Sequence, residues 1–135
     1  MIKLHLLTRC TRLSNLRIIR DTVFPSPLNV TWHIVFDTSI VKSFNKALIE
    51  ELKQLPTKIY YIESNGTDYI YPQLSDIIDT IDEGFVGILD DDNILHSDFY
   101  TGIEKAIKQN PDKKAFVYKQ YIGGKDFTGL KVRDI

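Results

Sequence analysis

Apolar residues recur in two rhythms along this chain. Five short runs are rich in Ile, Val, Phe and Tyr: Ile2–Leu7, Thr31–Phe36, Lys58–Ile62, Phe85–Leu89 and Ala115–Tyr118. Such runs fit a pleated, half-buried surface, so each predicts a strand. Between them the apolar spacing changes to three and four. Leu16, Ile19 and Val23 form one such set; Phe44, Leu48, Leu52 and Leu55 form the next. Leu74, Ile77, Ile78 and Ile81 form a third, and Phe99, Ile103 and Ile107 a fourth. That spacing puts each set on one face of a helix. Ser14, Ser43 and Ser97 stand where caps are expected, and Pro72 stands near the first turn of the third helix. Pro25, Pro27, Pro56 and Asn110-Pro111-Asp112 stop the patterns.

Strand and helix alternate, which predicts an α/β fold: a three-layer αβα sandwich around a mostly parallel, Rossmann-like sheet. Right-handed crossovers then gather the C-terminal strand ends on one edge. Open sheets of this kind bind ligands at that edge. Residues 1–121 are expected to make up this domain. The tail, residues 122–135, has a Gly123-Gly124 break and no clear period, and reads as an edge element or a poorly ordered end.

Composition narrows the class only a little. Apolar residues make up 43% and charged residues 26%, ordinary for a globular domain, and the net charge is −1. With no basic run there is no nucleic-acid footprint. No apolar run reaches the ~20 residues that span a bilayer. A single cysteine, Cys10, excludes an intrachain disulfide and fits a reducing, cytoplasmic setting. Cys10 itself reads as a packing residue.

The residues with chemistry to offer cluster just past the strand ends. Thr8-Arg9-Cys10-Thr11-Arg12 comes after the first strand, Asp37-Thr38-Ser39 after the second, and Asp90-Asp91-Asp92-Asn93 after the fourth. Consecutive aspartates repel one another, by roughly 4 kcal/mol per close pair at an effective dielectric near 20. Water, a cation or a positive partner must offset that. With strand-like alternation, Asp90 and Asp92 point one way and Asp91 the other. Carboxylates so placed suit a hard ion, Mg²⁺ or Mn²⁺, which takes its remaining oxygens from a substrate diphosphate. Arg9 and Arg12 can balance phosphate charge. Asp37 is a candidate acceptor for a base or ribose group. The alternative for the triplet is a solvated turn.

The blocks "LLTRCTRLSNL", "VTWHIVFDTS" and "GFVGILDDDN", in that order, resemble the nucleotide-binding half of GT-A fold glycosyltransferases. The third block resembles their DxD motif, and its DDDN form the glucuronosyltransferase branch. The resemblance implies a nucleotide-diphospho-sugar donor, often a UDP-sugar, a Mn²⁺ or Mg²⁺ ion, and transfer of the sugar to an acceptor hydroxyl, carbohydrate or other. Carried over by position, Asp92 binds the metal, Asp91 lies near the ribose and Asp90 near the donor sugar. Asp37 bonds the base, Thr8 lines the base pocket through its backbone, and Arg12 stands where the family often has an arginine. Members of that family usually continue well beyond this length, with an acceptor half and a catalytic base. Donor binding is therefore expected more firmly than transfer. A non-catalytic nucleotide-sugar-binding module is the alternative, with a nucleotidyltransferase or a receiver-like domain behind it. An exposed edge strand would favour a homo-oligomer.

Overall fold

A computed structural model describes residues 2–43, 45–64, 71–113, 115–118 and 130–133. The chain divides into two compact units, residues 1–95 and 96–135. Among the described residues no helix is long and apolar enough to cross a membrane.

The first unit is an α/β domain. Its strands are β1 (Lys3–Cys10), β2 (Asn29–Asp37), β3 (Thr57–Ile62) and β4 (Phe85–Ile88), and its helices α1 (Leu16–Val23), α2 (Lys46–Lys53) and α3 (Tyr71–Asp79). All the strand pairings are parallel, in the order β3-β2-β1-β4. The chain steps outward from β1 to β2 and β3, then returns across β1 to place β4 on its other side. Right-handed crossovers therefore put α1 and α2 on one face and α3 on the other.

The sandwiched layer is the core. On the α1/α2 face, Leu4, Leu6, Thr8, Cys10, Trp32, Ile34 and Phe36 are all buried. Leu16, Ile19 and Val23 of α1 are buried as well, each contributing about 1.5–3 kcal/mol by leaving water. Phe24, just past α1, lies against Trp32 with ring centroids 6.5 Å apart. Arg17 and Arg20 of α1 both bond Glu51 of α2, which marks the two helices as neighbours. On the opposite face, Ile77 packs on Leu7 and Val35, with Leu74, Ile78, Tyr60 and Ile62 around them. The apolar spacings of α1 and α3 are thus their buried faces. For α2, Leu48 and Leu52 are buried, while Phe44 lies outside the described residues.

Boundaries and caps depart from expectation. β1 runs on to Cys10, because β2 pairs with it along its whole length, to Cys10↔Phe36. A 3-10 turn (Leu13–Asn15) precedes α1, whose N-cap is Asn15 rather than Ser14. Asn15 makes no side-chain cap bond; its amide is used elsewhere, on the Asp91 carbonyl. For α2 the cap is Asn45, whose side chain accepts from Leu48 N–H, not Ser43.

In the second unit α4 (Phe99–Gln109) buries Tyr100, Ile103 and Ala106. Its N-cap is Asp98, not Ser97. The alternation of elements assigns β5 (Ala115–Tyr118) to the parallel sheet. It pairs instead with β6 (Leu130–Arg133) in an antiparallel ribbon. An antiparallel partner can come from the next stretch of chain, whereas a parallel one needs a long crossover.

One glycine is required where β4 begins. Gly84 has φ +103°, and a β-carbon there would lie 2.7 Å from the Lys3 carbonyl oxygen. Neither the dihedral nor the backbone contact tolerates a side chain. Gly84→Ala is expected to lower unfolding free energy by about 2 kcal/mol or more in urea denaturation; an unchanged midpoint would refute this account of the turn.

Candidate functional site

The strand order reverses between β1 and β4, so their C-terminal ends flank the topological switch point. The β1 end supplies Thr11, Arg12 and Asn15; the β4 end supplies Asp90, Asp91 and Asp92. Sheet pairing continues just past β4, where Leu89 N–H donates to the Leu7 carbonyl. The two ends are thereby held side by side.

The strand ends at Ile88 and the triplet lies in a turn closed by Asn93 N–H on the Asp90 carbonyl, yet its side chains still divide. Asp91 is buried, while Asp90 and Asp92 are exposed. One oxygen of Asp91, Oδ2, accepts from Thr11 N–H at 2.7 Å, Thr11 Oγ1 at 2.9 Å and Arg12 N–H at 2.9 Å. Its backbone carbonyl accepts from Asn15 Nδ2 at 2.8 Å. Hydrogen bonds to a charged group contribute about 1.5–3 kcal/mol each, so this carboxylate is chiefly a fastener between the β1 and β4 ends. The Arg12 guanidinium is exposed at this spot, with Nη1 3.8 Å from Asp91 Oδ1 and 3.7 Å from Asp92 Oδ2. Ion pairs so exposed contribute little stability. They do leave Arg12 beside the exposed carboxylate of Asp92.

One strand over, Asp37 closes β2 and is wholly buried. Arg9 Nη2 donates to its Oδ2 at 2.7 Å. Backbone N–H groups of Ser39 and Ser64 donate to Oδ1 at 3.1 and 3.3 Å. Burial pushes the Asp37 pKa up, but Arg9, Ser64 and Ser39 outweigh it and hold the carboxyl below its ordinary value. Asp37 therefore meets the rim through Arg9, which it orients. The Arg9 Nε–H is buried and has no hydrogen-bond partner among the described residues. Thr8 is fully buried, and its hydroxyl accepts from Trp32 Nε1 at 2.9 Å. Cys10 is fully buried too; burial first, and then the Asp91 charge, push its thiol up to about 12. It is a packing thiol and not a nucleophile.

The structure thus brings Arg12 and the triplet together at the switch point and sets Arg9 with Asp37 beside them. Among the described residues no group of three or more His, Cys, Asp or Glu side chains forms a metal cage. The donors facing outward are the oxygens of Asp90 and Asp92. Carboxylate oxygens are the kind of ligand that hard divalent ions take.

Fold and edge together define a Rossmann-like α/β domain with its polar groups collected at the switch point of a parallel sheet. No protein-family model matches the chain, and no curated protein matches it.

The middle aspartate should stand apart from its neighbours in stability. Asp91→Asn is expected to cost about 3 kcal/mol in urea denaturation, since it weakens a buried charged acceptor with several donors. Asp90→Asn and Asp92→Asn should fall within about 0.5 kcal/mol of wild type. Equal, small effects at all the positions would make the triplet a solvated turn.

Asp37 predicts an acid limb. Its folded pKa lies below the unfolded one, so its stabilisation is present above the unfolded value of about 3.9 and is lost as pH falls through the folded value. Arg9→Ala leaves burial less opposed and should raise the Asp37 pKa. Acid unfolding should then begin at higher pH, with about 2–4 kcal/mol lost at neutral pH. Coincident acid limbs for the variant and wild type would refute the pairing.

Proposed function

We propose that this chain is the donor-binding part of a metal-dependent glycosyltransferase of the GT-A type, binding a nucleotide-diphospho-sugar and passing the sugar to an acceptor hydroxyl. A UDP-sugar is the donor that the sequence resemblance favours. The observation that carries the reading is the juxtaposition of Arg12 with the exposed carboxylate of Asp92, next to exposed Asp90 in the chain, at the switch point of a parallel sheet. Anionic nucleotides take such an edge in open α/β folds. Asp92 and Asp90 are the residues that would hold Mn²⁺ or Mg²⁺. Such an ion, when bound, supplies positive charge to a leaving diphosphate.

The chain's own groups have distinct parts in this reading. Arg12 is the exposed cation for phosphate oxygens, since guanidinium matches phosphate in shape and donors. Asp91 fixes the main chain from which Arg12 projects. Arg9 is held by Asp37 at the side of the edge, where base or ribose would lie. The inverting or retaining outcome depends on groups beyond these. A non-catalytic nucleotide-sugar-binding module on the same edge is the second reading.

The test is a thermal-shift panel of UDP, GDP, CDP and TDP, each with Mn²⁺ or with EDTA, on wild type and Asp92→Ala. Ligand at about 100 times its dissociation constant stabilises by roughly 2.7 kcal/mol, several degrees for a domain this size. A shift with one nucleotide that needs both Mn²⁺ and Asp92 is the expected result. No shift with any nucleotide in a cooperatively folded protein would sink the reading.

A further inference from the structure

Away from the switch point, on the α3 face of the sheet, a line of polar side chains crosses the strands. Tyr60 on β3 lies with its hydroxyl 2.9 Å from His33 Nδ1 on β2. His33 Nε2 is 2.9 Å from His5 Nδ1 on β1. His5 Nε2 is 3.0 Å from the carbonyl oxygen of Glu83, in the turn that leads into β4. The rings are close throughout, with centroids 5.2 Å apart for the histidines and 5.8 Å for His33 and Tyr60. Both histidines are buried.

The far end of the line sets the direction of every bond in it. A carbonyl only accepts, so His5 carries its proton on Nε2. A neutral His5 then accepts at Nδ1, which requires the His33 proton on Nε2. His33 in turn accepts at Nδ1 from the Tyr60 hydroxyl. All the donors are used in the neutral state and each has one acceptor. One added proton can be held if the Tyr60 hydroxyl turns and accepts from His33. A second proton cannot, because two N–H groups would then face each other across the histidine pair.

The surroundings oppose even the first proton. Lys3 on β1 and Lys58 on β3 face the pair, while α3 contributes the apolar Leu74, Ile77 and Ile78 to this side of the sheet. The Glu83 side chain acts the other way, on His5. Burial first, then His5, Lys58 and Lys3, lower His33 to about 4. Burial is also the main cause that lowers His5, against the Glu83 carbonyl bond. An unfolded chain takes these protons near 6.5, so the pair's contribution to stability is whole above that pH and is lost as pH falls towards about 4.

We propose that the Tyr60–His33–His5 line is a proton-sensitive clasp that seats β4 while both histidines are neutral. A buried cation here is relieved most easily by letting water in past the weakest wall. That wall is the turn before β4, where Asp82, Glu83 and Gly84 are exposed. β4 is the shortest strand of the sheet and pairs only with β1 among the described residues. Two of its apolar side chains, Val86 and Ile88, remain 39% and 52% exposed. Segments with few buried contacts open first. Because β4 leads directly into Asp90–Asp92, opening it in acid would loosen the switch-point edge from the opposite end of the strand.

The test is NMR on the full chain between pH 7 and 3.5. The imidazole signals of His5 and His33 follow protonation, and the Phe85–Ile88 amides follow seating, with intrinsic exchange rates divided out. The expected result is loss of protection at Phe85–Ile88 in step with histidine protonation, while β1, β2 and β3 stay protected. Tyr60→Phe removes the acceptor for the added proton and should move that step to lower pH by about half a unit or more. His33→Gln leaves His5 as the one imidazole of the line that can take up a proton, so the step should follow the His5 signal alone; if it does not fold, the wild type and Tyr60→Phe still decide. Histidines that titrate without any change at Phe85–Ile88 would overturn the clasp, as would loss of protection in all the strands together.

Discussion

A buried carboxylate must find donors or give up its charge, and Asp91 finds them on a single neighbouring turn. Thr11 and Arg12 give three hydrogen bonds to one of its oxygens, and Asn15 reaches its carbonyl. The β1 and β4 ends are therefore joined at the place where the strand order reverses. Much of the edge depends on that join. The root of Arg12 is fixed by its own N–H. Asp90 and Asp92 face outward because their neighbour faces inward. The repulsion among consecutive aspartates is eased by separating them across the chain.

The α3 face of β1 and β2 shows the same economy of pairing. His5 meets His33, Leu7 packs with Val35, and Arg9 meets Asp37. Each partner on β2 lies the same distance along the chain from its mate on β1. A neutral polar pair, an apolar pair and an ion pair thus succeed one another along the two central strands. A register slip of one residue would turn every one of these side chains to the other face. Buried polar groups left without partners cost more than their pairing contributes, so these contacts act chiefly to exclude other registers. The apolar pair in the middle supplies the packing on which Ile77 of α3 rests.

The two ends of β4 are held by different chemistry. At its start, Gly84 brings the backbone close to Lys3, and the Glu83 carbonyl accepts a hydrogen bond from His5. Past its end, Asp91 accepts from the β1 turn. The first contact is a single hydrogen bond from a buried imidazole to a carbonyl; the second gathers several donors onto one carboxylate oxygen. A strand this short derives its place from these end contacts as much as from its pairing with β1.

Much of this was legible from the chain alone. Apolar spacing located the strands and helices of the first unit, and the faces of α1 and α3. Alternation implied the parallel sheet, and topology put the aspartates at the edge where open α/β sheets take ligands. These features are local, or depend only on the order of elements, so a linear reading reaches them. Helix caps were not legible, because Asn15 and Asn45 compete with nearby serines and only the final backbone path decides between them. Nor was the inward turn of Asp91 onto Thr11, the sealing of Asp37 by Arg9, or the meeting of His5 with His33. Their partners lie far along the chain, and a contact of that kind exists only once strand register is set. The departure of β5 into an antiparallel ribbon has the same origin: its pattern marks a strand, but a strand takes its partner from tertiary structure. The sequence by itself determined which residues could be buried and which edge would carry charge. Only the tertiary structure decided which charges were neutralised inside and which were left facing out.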